Sequence, residues 1–146
     1  MPHPDKHILQ FISEDRQCQL CITPVEVPGG SGYQDNDAYL LVDVRSRGFA
    51  GSCTVWVSQS VLEDFKRDLA SLEKTLRGKA RLGSISPDEL EIEIASISSK
   101  GNIAVQGKAG SLIQGKNGSF RHSISFGFEF EAQQLSTALR QAWLMN

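Results

Sequence analysis

Ser60-Val-Leu-Glu-Asp-Phe-Lys-Arg-Asp-Leu-Ala-Ser-Leu-Glu-Lys-Thr-Leu-Arg-Gly78 is the stretch that decides the fold. Val61, Leu62, Phe65, Leu69, Leu72 and Leu76 recur three or four residues apart, which gathers them on one stripe of an α-helix. Ser60 and Glu63 have capping-box spacing, in which each side chain satisfies a backbone N–H of the first turn. Gly78 is placed to end the helix. The segments on both sides of this helix alternate with a period of two instead.

Upstream, strands are expected over 8–12, 17–27, 38–47 and 49–58, with a glycine-rich turn at Pro28-Gly-Gly-Ser-Gly32 and Gln34-Asp-Asn-Asp37. Ala38, Leu40, Val42 and Val44 share one strand face, and Tyr39, Leu41, Asp43, Arg45 and Arg47 share the other. Downstream, strands are expected over 80–83, 88–98 and 102–106, and 107–118 reads as a glycine- and lysine-rich loop in which 111–114 can continue a strand. Ser119 to Phe130 is the strongest strand, with Phe120, Ile124, Phe126, Phe128 and Phe130 on one face, and is expected at the centre of the sheet. A second helix is expected over 132–144, with the stripe Leu135, Ala138, Leu139, Ala142 and Trp143. Strands, helix, strands, helix is the order of an α+β domain. It predicts a mostly antiparallel sheet of seven or eight strands with two helices packed on one face.

A chain of 146 residues fits one domain, and 40% hydrophobic with 22% charged residues is ordinary globular composition. The net charge of −2 and the absence of a basic stripe argue against direct nucleic-acid binding. No apolar run is long enough for a membrane span, and Met1-Pro-His-Pro-Asp-Lys-His7 lacks the layout of a secretory signal. Three cysteines, an odd number, argue against a disulfide framework, so the expected location is the cytoplasm.

Each chemical motif meets a physical objection. Cys18-Gln-Leu-Cys21 has redox or zinc spacing, but residues three apart in a strand face opposite sides, which favours inert thiols. Gly29-Gly-Ser-Gly32 is not followed by a helix N-terminus, as a phosphate loop requires. His3 and His7 lie in a polar start and His122 in the aromatic strand, with no nucleophile elbow beside them. Asp35-Asn-Asp37 lacks the glycine and distal glutamate of a calcium loop. The reading is therefore a non-enzyme without metal or cofactor.

Recognition chemistry is better represented. Tyr39 and Trp56 fall opposite the apolar stripes of their strands, beside Asp43 and Arg45, with Glu89, Glu91 and Glu93 sharing a strand face further on. Aromatic anchors among arginine and carboxylates are typical of protein-binding hot spots. These seven residues form the candidate partner surface; the alternative is that a helix or loop covers Trp56.

With the elements assigned, the chain resembles small bacterial immunity proteins of the WapI type over residues 38–144. The resemblance rests on Val61-Leu-Glu-Asp-Phe-Lys-Arg-Asp-Leu69, on the strand from Gly78 to Leu82 and on Glu89-Leu-Glu-Ile-Glu93. It continues through Gly101-Asn-Ile-Ala-Val105 and Phe126-Gly-Phe-Glu-Phe130 into the final helix with Leu135 and Leu139. It implies a cytoplasmic protein that occludes a cognate protein toxin, often a nuclease, and it transfers no binding residue position by position. The alternative function is a small-ligand or regulatory module, its pocket between sheet and helices with His122 at the mouth.

Overall fold

The structure, a computed structural model, describes residues 9–25 and 37–141. Strands β1 (Leu9–Ile12), β2 (Cys18–Pro24), β3 (Ala38–Ser46) and β4 (Phe49–Val57) precede helix α1 (Gln59–Thr75). Strands β5 (Lys79–Gly83), β6 (Leu90–Ser96), β7 (Ile103–Gln114) and β8 (Ser119–Phe130) precede helix α2 (Gln133–Leu139). The domain is α+β and every pairing is antiparallel. The strands divide into two four-stranded sheets, sheet A in the order β1-β2-β3-β4 and sheet B in the order β5-β6-β7-β8.

One core joins both sheets and both helices. Leu20, Ile22, Leu40, Val42 and Val55 from sheet A meet Leu82, Ile92, Ile94, Ile103 and Val105 from sheet B. Phe65, Leu69 and Leu72 of α1 and Leu135 of α2 complete it. Each such side chain contributes about 2 kcal/mol by leaving water. Helix α1 packs along β5 and against α2, and α2 packs on β1. The Gln134 side chain forms a clasp on β1: its Oε1 accepts the Ile12 N–H at 2.8 Å, and its Nε2 donates to the Ile12 carbonyl at 2.9 Å. Phe130 meets Phe11 of β1 at 4.5 Å between ring centroids, whereas Ile124 lies against Gly51 of β4. β8 therefore crosses sheet A from one edge strand to the other.

Several local expectations change. The N-cap of α1 is Ser58, whose hydroxyl accepts the Val61 N–H at 3.3 Å, so the Ser60–Glu63 box is displaced by two residues. The helix closes at Leu76, left-handed at φ 57, with its N–H on the Leu72 carbonyl; Gly78 follows at φ 91. Residues 107–110, read as loop, and 111–114, read as able to continue a strand, both belong to β7, because the register with β8 runs unbroken to Gln114↔Ser119. β8 is an edge strand and not a central one, and Phe120 is 59% exposed rather than in the core. Its alternation gave the correct face, but β7 and β8 run on past β6, whose last partner is Ala109. The expected turn at 28–36, Ala142 and Trp143 lie outside the described residues.

Candidate functional site

The outward face of sheet A is built by cross-strand register. Tyr39 pairs with Trp56, Leu41 with Thr54, Asp43 with Ser52 and Arg45 with Ala50. Side chains opposite one another in an antiparallel pair share a face, so Tyr39, Asp43, Arg45 and Trp56 look out of the molecule together. The Tyr39 and Trp56 rings sit 4.8 Å apart at 38°, and the Tyr39 hydroxyl donates to Thr54 Oγ1 at 2.7 Å. Both aromatic residues are half-buried. Hydrogen bonding and ring contact hold the pair in one geometry, which lowers the entropy lost when a partner covers it.

The charged end of this face adjoins small residues. A hollow of about 390 Å³ lies there, lined by Gln19, Asp43, Arg45, Ala50 and Ser52. Arg45 Nη2 donates to Gln19 Oε1 at 3.4 Å, which leaves most of its guanidinium donors facing outward. From Tyr39 to Arg45 the face extends roughly 20 Å by strand rise.

Glu91 and Glu93 are not part of that face, whereas the Glu89 carbonyl lies 4.0 Å from Cys53 Sγ of β4. Glu91 and Glu93 stand on β6, in the other sheet, where Glu91 is exposed and Glu93 half-buried. Glu93 Oε1 takes Arg81 Nε at 2.8 Å and Lys79 Nζ at 3.8 Å, while Lys108 bridges Asp88 at 3.2 Å and Glu91 at 3.7 Å. Glu89 precedes β6, and its carbonyl accepts the Gly110 N–H at 2.9 Å. Sequence reading missed this neutralisation because Lys108 had been assigned to a loop. The pairing of 79–83 with 90–96 was the signal available for Lys79 and Arg81.

Nucleophiles and metal ligands are scattered. Cys18 is buried with Leu20 and Ile22, whereas Cys21 lies with Gln19 on the outer face, so the C-x-x-C thiols point apart. Burial pushes the Cys21 thiol up, and likewise Cys53, which keeps both protonated at neutral pH. Among the described residues no group of three His, Cys, Asp or Glu side chains is placed to hold a metal. His122 is exposed and lines a cleft of about 180 Å³ between the sheets with Gly51, Cys53 and Ser111. That cleft lies between strands and not between sheet and helices, and it is small for an organic ligand.

The described residues form a two-sheet α+β domain with an ordered aromatic pair on the outward face of sheet A. Residues 8–142 match the Immunity protein WapI-like family, and the chain belongs to that family. No curated protein and no solved structure matches it. No helix among the described residues is long and apolar enough to cross a membrane.

Proposed function

We propose that the chain neutralises a cognate protein toxin by binding and occluding it, without turnover, in the cytoplasm of the cell that makes it. Its contact surface is the outward face of sheet A. The observation that carries this assignment is the Tyr39–Trp56 pair, held at 4.8 Å beside Asp43 and Arg45 in a chain of an immunity family. Aromatic and arginine anchors carry most of the affinity in such interfaces. Glu91 and Glu93 fall outside this surface, since a partner would have to break the ion pairs they make with Lys79, Arg81 and Lys108, and Glu89, beside Cys53 of β4, stays at its margin.

Affinity capture from the source cells, with mass spectrometry, identifies the toxin. Titration of that toxin with Trp56→Ala and Tyr39→Ala then tests the face. Each variant is expected to lose about 2 kcal/mol of binding, roughly thirtyfold in Kd. Unchanged affinity in a folded Tyr39→Ala/Trp56→Ala double variant removes this face from the interface.

A further inference from the structure

Three of the four sheet edges are met at least in part by other segments of the chain, β4 only at its Trp56 end. Gln134 clasps β1, α1 packs along β5, and the Trp56 carbonyl at the end of β4 takes the Ile85 N–H at 2.7 Å. β8 is the fourth edge, and among the described residues no strand pairs with its outer side. The Gly110 N–H bonds the Glu89 carbonyl, so even-numbered residues of β7 face β6 and odd-numbered ones face β8. Through the β7–β8 register, even-numbered residues of β8 bond β7. The N–H and C=O of Arg121, Ser123, Ser125, Gly127 and Glu129 therefore point outward, and all five residues are exposed.

The charges along this edge are arranged by symmetry. Arg121 lies four residues before Ser125 and Glu129 four after it. Near Glu129, Glu14 and Glu131 line the same hollow. At the other end the sequence carries Lys116 and Arg121, with no carboxylate anywhere between Glu93 and Glu129. One Arg121 N–H donates to the Asp88 carbonyl at 3.0 Å, and the others remain for a further acceptor. Charges on an edge strand commonly prevent pairing. Here one end is basic and the other acidic, so an antiparallel copy brings unlike charges together at both ends.

We infer that the outer edge of β8 is a self-association surface, pairing antiparallel with β8 of a second copy about a twofold axis at Ser125. That register sets Arg121 opposite Glu129 of the second copy, twice by symmetry, and Ser123 opposite Gly127. Phe120, 59% exposed in the single chain, comes opposite Phe130. Two four-stranded sheets become one of eight strands. A slip of two residues in one direction sets Arg121 opposite Gly127 and breaks both ion pairs, whereas the opposite slip sets it opposite Glu131, just past the end of β8. The interface is isologous and closes at two copies.

Sedimentation velocity of the full chain over micromolar concentrations tests it. A dimer that forms with concentration is expected; a chain that stays monomeric throughout overturns the inference. Arg121→Glu and Glu129→Arg are each expected to weaken the dimer by about tenfold or more, and the double reversal to restore it. Association that ignores both single reversals overturns the register. Ser125→Cys adds a check that needs no affinity measurement. A cysteine on the axis meets its symmetry mate within disulfide reach, whereas Ser123→Cys would lie roughly 13 Å from its own by strand rise. Oxidation is expected to cross-link the first variant beyond the parent chain and not the second; equal cross-linking of both sinks the proposed axis.

Discussion

The outward faces of the two sheets are built from similar residue types and do different things. On sheet B the charges are spent internally: Glu93 holds Arg81 and Lys79, and Lys108 holds Asp88 and Glu91. On sheet A the central interaction is between rings, with one hydroxyl bond from Tyr39 to Thr54, and Arg45 donates to Gln19. The backbones differ as well. A methyl group at Gly107 of sheet B would strike the Glu91 carbonyl and the Ile92 backbone of the adjacent strand. At Gly51 of sheet A it would meet only the Ile124 side chain, at 3.3 Å. Sheet B pairs Glu91 and Glu93 with its own cations and leaves its β8 edge open, whereas the proposed binding residues of sheet A face outward without such ion pairs among the described residues.

The largest test of that contrast is steric. Gly107→Ala is expected to cost about 3 kcal/mol, because strand backbone has nowhere to move, whereas Gly51→Ala should cost below about 1 kcal/mol as Ile124 adjusts. Urea midpoints of the two variants measure it, and equal losses would erase the distinction. Next is Trp56→Ala, expected to weaken toxin binding by about 2 kcal/mol, against a negligible change for Glu91→Lys/Glu93→Lys measured by the same calorimetric titration. A greater loss from the glutamate pair would move the interface to sheet B.

Smaller effects sharpen the picture. Glu93→Ala removes contacts to two exposed cations and should cost about 0.5–1 kcal/mol at low salt, fading at high salt. Denaturation at two ionic strengths separates this from a packing loss. The smallest effect is at the β1–β2 turn, where the Gln17 N–H and the Ser13 hydroxyl, with Arg47 nearby, hold the Asp15 carboxyl below its ordinary value of 3.8. A depressed carboxyl favours the folded state above the unfolded pKa, and that contribution disappears as pH falls through the folded one. Asp15→Asn should therefore flatten thermal stability slightly below the ordinary carboxylate range and leave acid loss elsewhere intact.

Period and composition made the elements legible because they are local properties. The α1 stripe, the alternation of β3 and β4 and the bounds of β8 are all readable from side-chain order. Sheet membership was not, because the same alternation serves one sheet or two, and only the crossing of β8 over β1 and β4 divides them. Phe120 shows the limit most directly: it shares a face with Phe126 and Phe130, which are 7% and 4% exposed, yet lies beyond the reach of the core. Periodicity reports which way a side chain points and says nothing of what waits there. For the candidate site, the Tyr39–Trp56 pairing followed from two adjacent strands. The separation of the glutamates from it depended on tertiary geometry that no spacing encodes.

The Gln134 clasp joins residues 122 positions apart. Every strand pairing, by contrast, is between neighbours in the chain, so each sheet can zip up as a short-range meander before the other is present. Closing so long a loop carries an entropy cost that is offset only when both ends are already ordered. In kinetic terms the clasp is expected to close after the nucleus, so Gln134→Ala should raise the rate of opening more than it slows folding, as unfolding and refolding rates would show. One glutamine side chain laid across an edge strand is thereby expected to set part of the domain's lifetime against a protease.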